Sequence, residues 1–294
     1  MQLVKTRSGK QNLLIWRGGI SYEAQKGQIY REEWNNLLFS IYPQPPKEKD
    51  LYYCDVRKPL LYPDQIFDAV YLFHILEHLT PEEASTFLRE IYRVLKFSGI
   101  VRISTPDLED ICRAYVSRLK DYEGSSTEKN LLRYEWSVLE LLDQIVRIRS
   151  GGLMTEYKRC GHYDLPYARE RFGDVFDEFS GPRRAVGKER LVDRILRLTP
   201  RSICKSILRR LKGLYELTRS GQNFRDSGEV NKWLYDHFSM TMLLEKTAFR
   251  QVLRKTYRTS DIPEWGRFNL DRSNYGDYPI EPSLYIEARK TLHK

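Results

Sequence analysis

Between His74 and His78 the chain reads His-Ile-Leu-Glu-His, two imidazoles and a carboxylate close together. His-x-x-Glu-His invites a metal site, because it sets two histidines one helical turn apart. That pattern needs a helix already underway and a third ligand, whereas His74 comes straight off an apolar run and before the helix start at Thr80, so no metal is expected. Two readings of His74 remain open. As an imidazole with a near-neutral pKa it can orient a hydroxyl or take its proton, or it can simply hydrogen-bond a loop. Glu77 and His78 are expected to fix the loop into the next helix. Asp107, in Thr105-Pro106-Asp107, is the second candidate base. Asp55, in Asp55-Val56-Arg57-Lys58-Pro59, reads from the residues alone as a turn aspartate capping the loop into Pro59.

The elements around these residues place them. The run Phe67–Phe73 is short, aromatic and branched, and reads as a buried strand. Thr80-Pro81-Glu82-Glu83 is a helix start, with Thr80 as N-cap, Pro81 in the first turn and Glu83 closing a capping box. Ala84, Phe87, Leu88, Ile91, Val94 and Leu95 form the apolar face of that helix. Lys96 and Gly99 read as its end, and residues 100–104 as the next strand. Strand, helix and strand at this spacing make a right-handed parallel crossover, hence an α/β sheet. Ligands of such sheets lie beyond the carboxyl ends of the strands, where Asp55, Phe73, His74, Glu77, His78, Thr105, Pro106 and Asp107 fall. Asp68, at a strand entrance, is expected to bond local backbone amides.

The words Asp55-Val56-Arg57-Lys58-Pro59-Leu60, Phe67-Asp68-Ala69-Val70-Tyr71, Leu76-Glu77-His78-Leu79 and Arg93-Val94-Leu95-Lys96-Phe97-Ser98-Gly99 resemble the class I methyltransferases that use S-adenosylmethionine. More narrowly, they are similar to predicted methyltransferases associated with bacterial polysaccharide biosynthesis. The resemblance implies a Rossmann-like sheet, mostly parallel with an antiparallel last strand, and S-adenosylmethionine as cofactor. It implies that Asp55 accepts the adenine amino hydrogens, that Val56 offers its backbone amide, and that Phe73 and His74 lie beside the cofactor. Residues 11–16 stand as the first strand, followed by Gly18 and Gly19 in the place of the family's cofactor loop. Trp16 occupies the position of that loop's first glycine, and Leu38 that of the acid that holds the ribose hydroxyls. The implied reaction is methyl transfer to a hydroxyl of a saccharide or lipid-linked saccharide, by in-line displacement with His74 or Asp107 as base. The alternative, carried by Trp16 and Leu38, is a non-catalytic member that keeps the fold as a partner-binding or regulatory module.

The remainder reads as an insertion, giving a core of residues 1–120, a helical basic insertion of 121–235 and a return to the core over 236–294. On the helix expected from 130 to about 150, Val138, Leu141, Ile145 and Ile148 make the core stripe. Trp136, Glu140, Asp143 and Arg147 make a second stripe, either a solvated salt-bridged face or a substrate wall, since an aromatic beside carboxylates suits saccharides. Residues 181–219 carry twelve Lys and Arg against three Asp and Glu, an excess equal to the formal charge of +9 of the whole 294-residue chain. This amphipathic segment is read either as a contact with an anionic membrane or as a cover for the core with a solvated basic face. Nucleic acid is disfavoured, because interleaved aromatics and a reading motif are lacking. The four cysteines are too scattered for a zinc site or disulfide framework. With no signal pattern and no membrane-spanning run, a cytoplasmic location is expected, peripheral on the inner membrane face under the lipid reading.

Overall fold

The computed structural model describes residues 11–17, 34–40, 51–53, 55–178, 224, 229–273 and 275–291. The chain divides into two compact units, one of Met1–Asp110, Arg171–Glu178 and Asn231–Lys294, the other of Ile111–Glu170 and Phe179–Val230.

The first unit is built on a seven-stranded sheet of β1 (Gln11–Arg17), β2 (Trp34–Ser40), β3 (Leu51–Tyr53), β4 (Phe67–Phe73), β5 (Leu95–Thr105), β6 (Arg250–Lys255) and β7 (Leu284–Arg289). Their spatial order is β3-β2-β1-β4-β5-β7-β6. Strands β1 to β5 pair in parallel, and β7 runs antiparallel to both β5 and β6, as the Rossmann-like expectation has it. Alternation along each strand divides the core. Leu14, Val70, Leu72, Val101 and Ile103 face one side, where α1 (Pro81–Val94) and α5 (His237–Lys246) lay down Phe87, Leu88, Ile91, Met240 and Leu244. Each such side chain fully buried contributes ~1.5–3 kcal/mol. Thr80 accepts Glu83 N–H and Glu83 returns a bond to the Thr80 amide at 2.9 Å, so the capping box forms as the sequence specifies.

On the other side, Leu13, Ile15, Tyr71, Phe73 and Ile100 meet Ile262, Trp265, Phe268 and Leu270. Arg102 points from β5 into this layer and is fully buried. Its guanidinium donates to Asp271 at 2.8 Å, to Glu287 at 2.7 Å, and to the carbonyls of Thr256 and Thr259. Tyr71 and Trp265 donate to the same Asp271 carboxylate. A buried charge is tolerated only when paired and hydrogen-bonded, and this one pins the 256–271 segment to the middle of the sheet.

Helix α1 stops at Val94 and β5 begins at Leu95, earlier than the end expected at Lys96 and Gly99. The ladder pairs Phe67 with Leu95 and then Ala69 with Ile100, so residues 96–99 bulge from the strand. Ser98 sits there at φ 65°, and a Cβ on Gly99 would lie 2.8 Å from the Lys96 carbonyl oxygen. Asp68 explains the bulge. Instead of bonding local amides, its carboxylate takes the Asn12 N–H of β1 and the Lys96 ammonium, each at 2.8 Å.

The second unit contains most of α2 (Leu108–Gly124), then α3 (Glu128–Val146) and α4 (Gly152–Cys160). On α3 the second, charged stripe is the more deeply buried one. Trp136, Glu140 and Asp143 are buried, whereas Val138, Leu141 and Ile145 of the expected core stripe are half-buried and Ile148, beyond the helix end, is 58% exposed. The charged stripe turns inward because it has partners there. Asp143 accepts the Leu153 N–H at 2.6 Å at the start of α4 and pairs with Arg147 at 2.9 Å. Gly152, at φ 54°, leaves room for that carboxylate, since a Cβ would overlap both Asp143 oxygens. Trp136 packs against Tyr157 and Tyr163, and Tyr157 donates to Glu135 at 2.6 Å. Among the described residues, no helix is long and apolar enough to cross a membrane. The basic segment 181–219 lies outside the described residues.

Candidate active site

Strand β4 ends at Phe73, and His74 turns the chain off the sheet at φ 51°, its amide held by the Ser104 carbonyl at 2.9 Å. A positive φ at a non-glycine residue costs energy and persists only where surrounding contacts fix it. Those contacts come from three directions. The 3-10 turn Leu76–His78 brings Glu77 Oε1 to 2.8 Å from His74 Nδ1. Thr105, ending β5, donates to the other Glu77 oxygen at 3.2 Å. Ser283, just ahead of β7, lies 3.0 Å from His74 Nε2, and Glu281 lies 3.5 Å from it. The Glu77 carbonyl also accepts the amides of Lys232 and Trp233, so this one residue joins four stretches of chain.

The charges are tuned by these neighbours. Burial pushes the Glu77 carboxyl up, but the charge and hydrogen bond of His74 and the charge of His78 together outweigh it, leaving Glu77 below its ordinary value. Glu281 goes the other way: burial raises it more than His74 lowers it, and Glu77 adds repulsion. Glu77 is thus an ionised partner that fixes the imidazole's orientation, the arrangement that suits a general base.

Asp107 lies near the same end of the sheet but is engaged elsewhere. One oxygen accepts the amides of Glu109 and Asp110 at the start of α2, and the other takes Arg254 at 2.8 Å. Burial holds its carboxyl above the ordinary value despite these bonds. That geometry is an anchor for the helix start, and of the two candidate bases only His74 is presented by a buried acid.

Asp55 follows β3 and shows the turn arrangement. Oδ1 accepts the Arg57 amide at 3.1 Å and Nε at 2.8 Å, Oδ2 accepts Nη2 at 3.1 Å, and the Asp55 carbonyl takes the Lys58 amide at 3.0 Å. The Arg57 side chain bonds hold its carboxyl below the ordinary value. The Asp55 side chain is 17% exposed and that of Arg57 48%, so the pair is a surface one, worth ~0–1 kcal/mol. Val56 is buried in the core, and the Phe73 ring is likewise core, stacked edge-on to His74 at 4.5 Å. What Phe73 can offer a cofactor is therefore backbone. Gly18 and Gly19 lie outside the described residues, as do the side chains of Trp16 and Leu38. The backbone of Trp16 pairs with Phe39 and Leu72, and that of Leu38 with Ile15 and Leu51.

Trp136, Glu140 and Asp143 are buried within the second unit, where Asp143 serves the start of α4. An open saccharide wall is not what these three side chains form there. Sequence reasoning missed the joining of His74 to Glu77, although the i to i+3 spacing was visible. It placed Thr105 at this end of the sheet but not its bond to Glu77, and it missed Ser283 and Glu281, which stand more than two hundred positions from His74 and carry no local signal.

Residues 42–103 match the family described as methyltransferase domain, a segment that contains Asp55, His74 and Glu77. The expectation of a methyltransferase with S-adenosylmethionine as its cofactor agrees with this domain. Among solved structures, the chain is similar to a SAM-dependent methyltransferase from Archaeoglobus fulgidus, at 13% identity over 96% of this chain and 87% of that one, with a TM-score of 0.38. It is similar also to a SAM-dependent methyltransferase from Methanosarcina mazei, at 13% identity, 98% and 95% coverage and a TM-score of 0.35. A third is the CurJ carbon methyltransferase, at 10% identity and a TM-score of 0.37, over 98% of this chain. The chain spans 50% of the length of that last structure. A comparison with curated proteins finds no match.

Proposed function

We propose that this chain transfers the methyl group of S-adenosylmethionine to a hydroxyl of a saccharide or lipid-linked saccharide, with His74 as the general base. The observation that carries the base is the 2.8 Å contact of His74 Nδ1 with the buried carboxylate of Glu77. With its proton held on Nδ1, the ring turns the lone pair of Nε2 towards an incoming hydroxyl. When bound, the cofactor supplies a sulfonium methyl open to in-line displacement. The chain supplies orientation: Asp55 and the Val56 amide for the adenine, Gly18 and Gly19 for the remainder, and His74 for the acceptor proton. The saccharide class is supported by the resemblance of the words 55–60, 67–71, 76–79 and 93–99 alone. A contact of the basic segment 181–219 with an anionic membrane is part of the same proposal, supported by its charge and amphipathic pattern.

One observation favours a second reading, a non-catalytic module. Arg57 engages both oxygens of Asp55, the residue expected to hold the adenine. Calorimetric titration with S-adenosylmethionine and its demethylated product separates the two. Micromolar binding is expected, and binding weaker than millimolar would overturn the enzyme reading.

A further inference from the structure

His74 is flanked by polar groups at both ring nitrogens. Nδ1 faces Glu77, while Nε2 faces Ser283 Oγ at 3.0 Å and Glu281 Oε2 at 3.5 Å. Ser283 Oγ also lies 3.0 Å from the Glu281 carbonyl oxygen, so its single hydrogen has two acceptors to choose between. With the ring neutral and its proton on Nδ1, Ser283 donates to Nε2. With the ring protonated, Nε2 donates to Ser283 Oγ, and Ser283 turns its hydrogen to the Glu281 carbonyl. Nε2 keeps a partner in both states, so no buried polar group is left unmet.

The charged ring then has a carboxylate on each side. The titratable and polar groups around it are Glu77 and His78 from the 3-10 turn, Thr105 from β5, and Glu281 and Ser283 ahead of β7. Tyr235 completes the surroundings of Glu77; its hydroxyl is pushed up by burial and by the charges of Glu77 and Glu82. Side-chain exposure rises from 1% at Glu77 and 8% at His74 to 17% at Glu281, so Glu281 has the best route to water of the three.

We propose that Ser283 and Glu281 are positioning residues of the His74 base: Ser283 reverses its hydroxyl as Nε2 gains a proton, and Glu281 steadies the imidazolium and passes that proton to solvent. The inference rests on the reading of His74 as base and deepens it. The acceptor hydroxyl takes the place of the Ser283 hydrogen on Nε2. As the acceptor oxygen gains the methyl group, its O–H bond breaks and the N–H bond at Nε2 forms, so an ether and a thioether are left and the ring carries the positive charge. The proton then moves from Nε2 to the Glu281 carboxylate and on to water, restoring the neutral ring.

The test is an NMR titration of the His74 ring in the full chain, which needs neither S-adenosylmethionine nor an acceptor. Removing a carboxylate this close, by Glu281→Gln, should lower the His74 midpoint by about one pH unit. Ser283→Ala, which deletes a partner common to both states, should move it less. In the unaltered chain the Glu281 carboxyl signal should show an inflection at the His74 midpoint, because coupled groups titrate together. A His74 midpoint unmoved by Glu281→Gln would overturn the proposal. So would the absence of that shared inflection, which remains measurable even when the variant does not fold. Failure of the methyltransferase reading is seen separately, as absent cofactor binding in calorimetry.

Discussion

Arg102 of β5 and Asp271, 169 positions later, are joined inside the core at 2.7 Å and 2.8 Å, with both side chains fully buried. Neither charge reaches water, so the pair rests on its buried partners. Removing one partner by Asp271→Ala should cost ~3–5 kcal/mol, because it breaks a buried ion pair and leaves Glu287 to offset the guanidinium. Urea unfolding measures this. A loss below about 1 kcal/mol would show that Glu287 and the Thr256 and Thr259 carbonyls suffice for Arg102.

Asp55→Ala tests the cofactor role of that carboxylate. Losing a hydrogen bond involving a charged group should weaken S-adenosylmethionine binding by ~1.5–3 kcal/mol in calorimetry. The melting temperature should hardly move, since the Arg57 pair is a surface one. Unchanged affinity with lowered stability would leave Asp55 with the turn alone.

Gly152→Ala addresses the inward charged stripe of α3. The new Cβ would meet the Asp143 carboxylate at a backbone angle that favours glycine, so a loss of ~1–3 kcal/mol is expected. Asp143→Ala, which deletes the partner of the Leu153 amide at the start of α4, should cost ~0.5–2 kcal/mol. Thermal unfolding in which both variants match the unaltered chain would return that stripe to solvent.

The two carboxylates at His74 should respond oppositely to pH. Glu77 lies below its ordinary value when folded, so its contribution is present above that ordinary value and is lost as pH falls through the lowered one. Glu281 lies above its ordinary value, so the folded chain holds its proton more tightly and stability declines as pH rises through that window. At neutral pH, Glu77→Gln should melt below the unaltered chain and Glu281→Gln above it, with both differences shrinking in acid. Two variants shifting in the same direction would contradict the assignment.

Local signals in this chain are strong where chemistry is local. Thr80, Pro81 and Glu83 specify a helix start because the capping atoms lie within one turn of each other, and the structure forms that box. The apolar run Phe67–Phe73 likewise reads as a buried strand, and the structure covers it on both faces. The α3 stripe misleads because polarity alone does not say which face is inside. Asp143 turns inward only because the amide of Leu153 and the guanidinium of Arg147 await it there.

By itself the sequence determined the strand and helix succession of residues 67–105, the candidacy of His74 and Asp107 as bases, and the turn at Asp55. Each follows from residues within a few positions of one another. Tertiary structure decided which candidate base is presented by an acid. It set Glu77 and Thr105 behind His74, brought Ser283 and Glu281 to its other nitrogen, and tied Asp107 to Arg254 and the start of α2. The physical reason is that strands distant in sequence end side by side once β7 enters antiparallel to β5. Protonation depends on distance and burial, and only folding sets those.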